Sequence, residues 1–168
     1  MFKATRELIK ARQKQTKFVI KKVDVKPIGG GKPNDCFNNA CNYLENNNGT
    51  KVVSGWLVNK FDAKTNSTAI IQHFWNVNAF GMHIDTTPLV GNHEYDYEYV
   101  IDVDILMFGQ THYDEIETCV CSSLLLSNGI FSTVELYEDD IQIEYIKDLT
   151  TKNLFRFQIQ NLFNLASA

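Results

Sequence analysis

The chain has 168 residues, long enough for one domain with a proper apolar core. Hydrophobic residues make up 44% and charged residues 21%, which excludes a disordered chain and fits a globular one. The net charge of −4 hides an asymmetry: residues 1–32 carry ten Lys/Arg against Glu7 and Asp24, and residues 33–168 carry six against eighteen Asp/Glu. Two units are therefore expected: a basic N-terminal arm over residues 1–32, helix plus strand, and a single α+β domain over residues 33–168. The arm's basic stretch, residues 3–26, is a solvated helix face, lies on the acidic body, or reaches for nucleic acid or another acidic partner. The acidic body argues against nucleic acid as that partner. No apolar run approaches the ~20 residues of a membrane span, so no membrane partner is expected. The N-terminus lacks an uninterrupted apolar stretch, so export is not expected and the cytoplasm is the expected compartment.

In chain order, residues 2–16 read as a helix, with Ala4, Leu8 and Ala11 on one face and Ile9 beside them. Residues 17–25 tend towards a first strand through Phe18, Ile20 and Val23. The run Pro27-Ile28-Gly29-Gly30-Gly31-Lys32-Pro33 is a turn. It lacks the Walker pattern of a phosphate loop, and the expected role is to let backbone pass close to a reactive group. Asn34 or Asp35 is placed to cap a helix over residues 36–45, stopped by Asn46-Asn47-Asn48-Gly49. Residues 51–59 read as a strand and residues 61–68 as a polar loop.

A β-hairpin follows: strand 69–77, a turn around residues 78–81, and strand 82–86 closed by Pro88. The alternation His93-Glu94-Tyr95-Asp96-Tyr97-Glu98-Tyr99 leads into residues 100–108 and presents one aromatic face, either a groove lining or a surface strand. Residues 109–117 read as a loop, 118–126 as helix or strand, 129–137 and 141–146 as strands, and the tail from Thr150 as a helix.

Four cysteines, Cys36, Cys41, Cys119 and Cys121, are expected to be reduced thiols. Cys119-Val120-Cys121 puts two thiols on one strand face, but without the usual zinc spacing they read as small core residues. Neither metal nor cofactor is expected. Cys36 differs from the others in its place. In the first turn of a helix, unpaired N–H groups and the positive end of the macrodipole favour a thiolate. The same N–H groups can hold an oxyanion.

His73 and Asp85 lie on the two arms of the hairpin, where antiparallel pairing brings residues side by side. His83, two residues from Asp85, competes with His73 for the role of base or lines the pocket; His93 and His112 are further candidates. Asp85 either accepts the His73 Nδ1–H, fixing its tautomer, or caps the turn into Thr86-Thr87-Pro88. Asn34 is either an oxyanion donor or an N-cap. Trp75 is core or cleft wall, and Asn76 braces the hairpin; both join Asn34 as candidate substrate or oxyanion residues.

The order Cys, His, Asp, with Asn34-Asp35-Cys36-Phe37-Asn38-Asn39-Ala40, His73-Phe74-Trp75-Asn76 and Asp85-Thr86-Thr87-Pro88, resembles the transglutaminase-like branch of the papain-like cysteine enzymes. It is similar in particular to small phage and bacterial members that carry Asn-x-Cys-x-x-Asn-Ala, His-x-Trp-Asn and Asp-x-Thr. The resemblance covers residues 33–90. It implies a papain-like core, with the Cys-bearing helix packed on an antiparallel sheet. It also implies a nucleophile (Cys36), a base (His73), an orienting acid (Asp85), and a protein or peptide amide as substrate. Larger transglutaminases usually present Gly-x-Cys-Trp, and the absence of both residues here weakens glutamine–lysine crosslinking more than it weakens a thiol mechanism. Hydrolysis and acyl transfer both remain open. So does a catalytically inactive binding protein on the same fold, such as a phage factor acting on a host partner in the host cytoplasm.

Overall fold

Apolar spacing sets both helices of the computed structural model, which describes residues 1–14, 16–89, 96–103, 123–135 and 144–146. Helix α1 (Lys3–Gln13) buries Ala4, Leu8 and Ala11 on one stripe and turns Lys3, Arg6 and Lys10 to solvent. Helix α2 (Cys36–Asn46) buries Cys36, Asn39 and Ala40 at the same kind of spacing. Asp35 is its N-cap, but neither Asp35 nor Asn34 caps it with a side-chain bond. Instead Asp35 Oδ1 accepts from the Asn38 side chain at 2.7 Å, and Asn34 is exposed with φ +58°.

Nine strands are described: β1 (Lys21–Val23), β2 (Val25–Pro27), β3 (Lys51–Asn59), β4 (Thr68–Val77), β5 (His83–Asp85), β6 (Tyr97–Ile101), β7 (Ser123–Ser127), β8 (Ile130–Glu135) and β9 (Glu144–Ile146). They run in the order β1-β6-β3-β4-β7-β8-β9, with β5 also on β4 and β2 on β5. Every pairing is antiparallel except β2 with β5. The fold is thus mixed α+β, two helices on a curled, mainly antiparallel sheet among the described residues.

The curl has a simple cause. Only Asp24 separates β1 from β2, yet β1 pairs with β6 and β2 pairs with β5. The first strand expected over residues 17–25 therefore starts later and is broken in two, and Pro27, which has no N–H to donate, ends the second piece. The two pieces draw the β6 and β5 ends of the sheet together. Odd-numbered residues of the ring, Val23, Leu57, Trp75 and Tyr99, form one apolar cluster. Even-numbered ones on the other face, Trp56, Val58, Ile70, Phe74 and Val100, form the larger core with Leu8 of α1 and Ala40 of α2.

Residues 1–32 are joined to this body rather than held apart from it. Arg12, fully buried on α1, grips Asp102 through Nε (2.6 Å) and Nη2 (3.2 Å), while Trp56 Nε1 donates to the same carboxylate at 3.0 Å. Glu98 accepts from Phe2 N and Thr5 Oγ1 and pairs with Lys22. Through these contacts α1 lies on the body, while Lys3, Arg6 and Lys10 of the same helix stay exposed.

The strand read over residues 100–108 begins earlier, inside the Tyr/acid alternation. The ambiguous run 118–126 is strand where it is described. The loop at 109–117, the tail helix, His93, His112, Cys119 and Cys121 lie outside the described residues. Among the described residues no helix is long and apolar enough to cross a membrane.

Candidate active site

The central strand β4 has two different edges. One pairs with β3 along its length. The other is shared, residues 68–71 pairing with β7 and residues 76–77 with β5. His73 falls in the interval between these two ladders, where the sheet forks. The turn that sends the chain back into β5 is held by Asn78, whose Oδ1 accepts from Phe80 N and Met82 N, both at 3.0 Å, with Gly81 at φ +79°. Extending the β4–β5 register by one residue sets Asp85 opposite Trp75 and diagonal to His73.

His73 Nε2 and Asp85 Oδ2 are 2.6 Å apart, and both side chains are buried. Asp85 meets Nε2, not the Nδ1 expected from the sequence. Asp85 accepts two further bonds, from Tyr99 Oη to Oδ2 (2.8 Å) and from Thr87 N to Oδ1 (2.8 Å). Its two roles, orienting the imidazole and holding the turn into Pro88, are thus carried at once by different oxygens.

Cys36, in the first turn of α2, lies within interaction range of the His73 imidazole. With Nε2 committed to Asp85, Nδ1 is the nitrogen left for the thiol. Burial alone would lower the His73 pKa, but the interactions with Asp85 and Cys36 outweigh it and push it up to about 9. Both neighbours thus favour the imidazolium form of the ring, which sits between the Asp85 carboxylate and the Cys36 sulfur. Cys41 is only partly buried; burial and Glu45 push its thiol up, away from reactivity.

The ring is held from below as well. Trp75 lies two residues along the same strand face, its ring stacked on His73 at 6.2 Å between centroids and 23° between planes. The Trp75 N–H donates to His83 Nδ1 at 2.9 Å. Burial and Lys21 lower the His83 pKa, which keeps that nitrogen free to accept. His83 therefore braces Trp75, and His73 holds the place beside Cys36. Opposite His73 on β3 stands Gly55, where a Cβ would lie 2.0 Å from the Val100 carbonyl oxygen and 2.6 Å from the Trp75 ring.

Trp75 and Asn76, read as candidate substrate or oxyanion residues, are fully buried with their amide and indole donors committed. Asn76 Nδ2 donates to Ala40 O of α2 at 2.9 Å, tying β4 to the helix that carries Cys36. Their place is support beneath the site. Asn34 is exposed, two residues before Cys36. Tyr99, Thr87 and Asn39 were not singled out in the sequence. Tyr99 was visible only as part of the alternating tyrosines, and Asn39 as the second Asn of Asn-x-Cys-x-x-Asn-Ala.

No group of three or more His, Cys, Asp or Glu side chains among the described residues is arranged to hold a metal ion. Comparison with known protein families, curated proteins and solved structures finds no match to this chain.

Proposed function

We propose that the chain is a cysteine-dependent acyl-transfer or hydrolytic enzyme acting on protein or peptide amides, a small member of the transglutaminase-like branch of the papain-like fold. One observation carries the reading: the buried His73 imidazole stands between the Asp85 carboxylate and the Cys36 thiol, and that thiol opens a helix. The sequence resemblance around Cys36, His73 and Asp85 supports it from a second side.

The chemistry follows from these positions. The Cys36 proton resides on His73 Nδ1, giving a thiolate–imidazolium pair steadied by Asp85. The thiolate attacks the amide carbonyl carbon, and the electron pair displaced onto oxygen is held by N–H groups at the start of α2. Collapse of this intermediate breaks the C–N bond as His73 gives its proton to the leaving amine. The thioester left on Cys36 is then attacked by water or by a second amine, whose proton His73 takes up. Water gives a protease or amidase; an amine gives transfer.

The test is the pH dependence of Cys36 alkylation by iodoacetamide, read on the peptide that contains Cys36. Labelling that persists well below the ordinary thiol pKa of about 8.5, and is lost in His73→Ala, supports an activated thiolate. An ordinary profile indifferent to His73→Ala overturns it. The burial of Cys36 and His73 is the observation that favours the second reading, a catalytically silent binding protein on the same fold. That reading gains from the ordinary profile.

A further inference from the structure

Three separate pieces of chain meet at the site, and the Asn39 side chain touches all of them. From the buried face of α2, one turn after Cys36, Asn39 Oδ1 accepts from Lys32 N at 2.9 Å and Nδ2 donates to Lys32 O at 2.8 Å. The same Nδ2 lies 3.2 Å from Thr87 Oγ1, just beyond Asp85. The Gly-rich segment is pinned on its other side too, by Ile28 N to Asp85 O (2.8 Å) and Gly31 N to Thr86 O (2.9 Å). Space is made for this clamp by glycine. A Cβ on Gly31 would lie 2.4–2.7 Å from the three terminal atoms of Asn39, so no larger residue fits there without moving the amide. The close approach that the Gly run was expected to serve is thus made to Asn39, next to the thiol rather than on it.

We propose that Asn39 is a positioning residue for the thiol: it fixes the first turn of α2 against the Gly31–Lys32 and Asp85–Thr87 segments, so that Cys36 and the Asp85-held imidazole keep a constant separation. This rests on the reading of Cys36, His73 and Asp85 as a working unit. The amide is suited to the task because it offers an acceptor and a donor in one plane, which closes a two-bond ring with the Lys32 peptide and leaves a second N–H for Thr87. Alanine offers neither, and a carboxylate cannot donate to Lys32 O or to Thr87.

The experiment compares wild type with Asn39→Ala, Thr87→Val and His73→Ala. It reads the pH profile of Cys36 alkylation, the thiolate ultraviolet absorbance relative to Cys36→Ala, and the thermal midpoint of each variant. Thr87→Val keeps the shape and the backbone N–H that serves Asp85, and removes only the bond to Asn39. The expected result is a wild-type profile set well below the ordinary thiol range. In Asn39→Ala it moves up towards about 8.5, with labelling at pH 6 slowed about tenfold or more. Thr87→Val is expected to give a smaller shift in the same direction at an unchanged thermal midpoint. If Asn39→Ala does not fold, Thr87→Val decides alone. Folded variants with the wild-type profile, alongside a His73→Ala variant that loses it, overturn the positioning role and leave the thiol–imidazole reading standing. A wild-type profile that is already ordinary, and indifferent to His73→Ala, overturns both.

Discussion

At the scale of single residues, the site turns on the proton held by His73. An unfolded histidine titrates near 6.5, whereas the folded ring is pushed up to about 9 by Asp85 and Cys36 despite its burial. A raised pKa means that the folded state binds this proton more tightly than the unfolded one. This contribution is therefore fully present below about pH 6.5 and is lost as the pH rises through 9. The difference in denaturation midpoint between wild type and His73→Gln should accordingly shrink across that window. In NMR the His73 ring protons should titrate near 9, earlier in Cys36→Ala and earlier again in Asp85→Asn. An unmoved midpoint in Asp85→Asn would show that the carboxylate does not hold the ring. On the proposed chemistry, Asp85→Asn should also lower turnover on the order of 10³-fold, because it removes the charge that steadies the imidazolium. Tyr99, held protonated by burial and by the charge of Asp85, supplies a donor to that carboxylate and takes no proton from it.

Among the elements, β3 and β4 show how tightly the site is fitted into the sheet. Gly55→Ala should destabilise by about 2–3 kcal/mol or more, since its new methyl meets backbone at Val100 as well as the Trp75 ring, and backbone cannot yield as a side chain can. Chemical denaturation measures this directly, and a loss under about 0.5 kcal/mol would mean that the strands part easily there. The hairpin, the bounds of β3 and the helix opening at Cys36 were legible in the sequence, because period-two alternation and an Asn/Gly turn are strong local signals. The break at Asp24 was not. Residues 17–25 alternate well enough for one strand, and only the distant partners Tyr99–Ile101 and His83–Asp85 require two. Tyr99 was hidden for the same reason: its meaning lies in the diagonal across β3 to His73, which no local pattern encodes. Choosing His73 over His83 needed more than spacing from Asp85, since both lie close to it along the chain or across the hairpin. The structure separates them by what each ring nitrogen meets.

For the molecule as a whole, the uneven charge of the chain is settled partly inside it. Arg12 and Asp102 form a buried, two-bond ion pair, and Glu98 gathers the start of α1 and Lys22. Arg12→Ala should therefore cost about 3–5 kcal/mol, because it strands a carboxylate that has no access to water. If thermal or chemical unfolding shows a loss below 1 kcal/mol, α1 is not held to the body through this pair.

The broken strand at Asp24 also bears on when the chain becomes reactive. Pairing Lys21 with Ile101 and Val25 with His83 joins segments far apart along the sequence, and such contacts form late because chain entropy opposes them until the intervening pieces are in place. The Gly-rich segment that meets Asn39 hangs directly from this closure. On the proposed chemistry, a half-folded chain would therefore carry Cys36 as an ordinary thiol, and activation would wait until this closure is made.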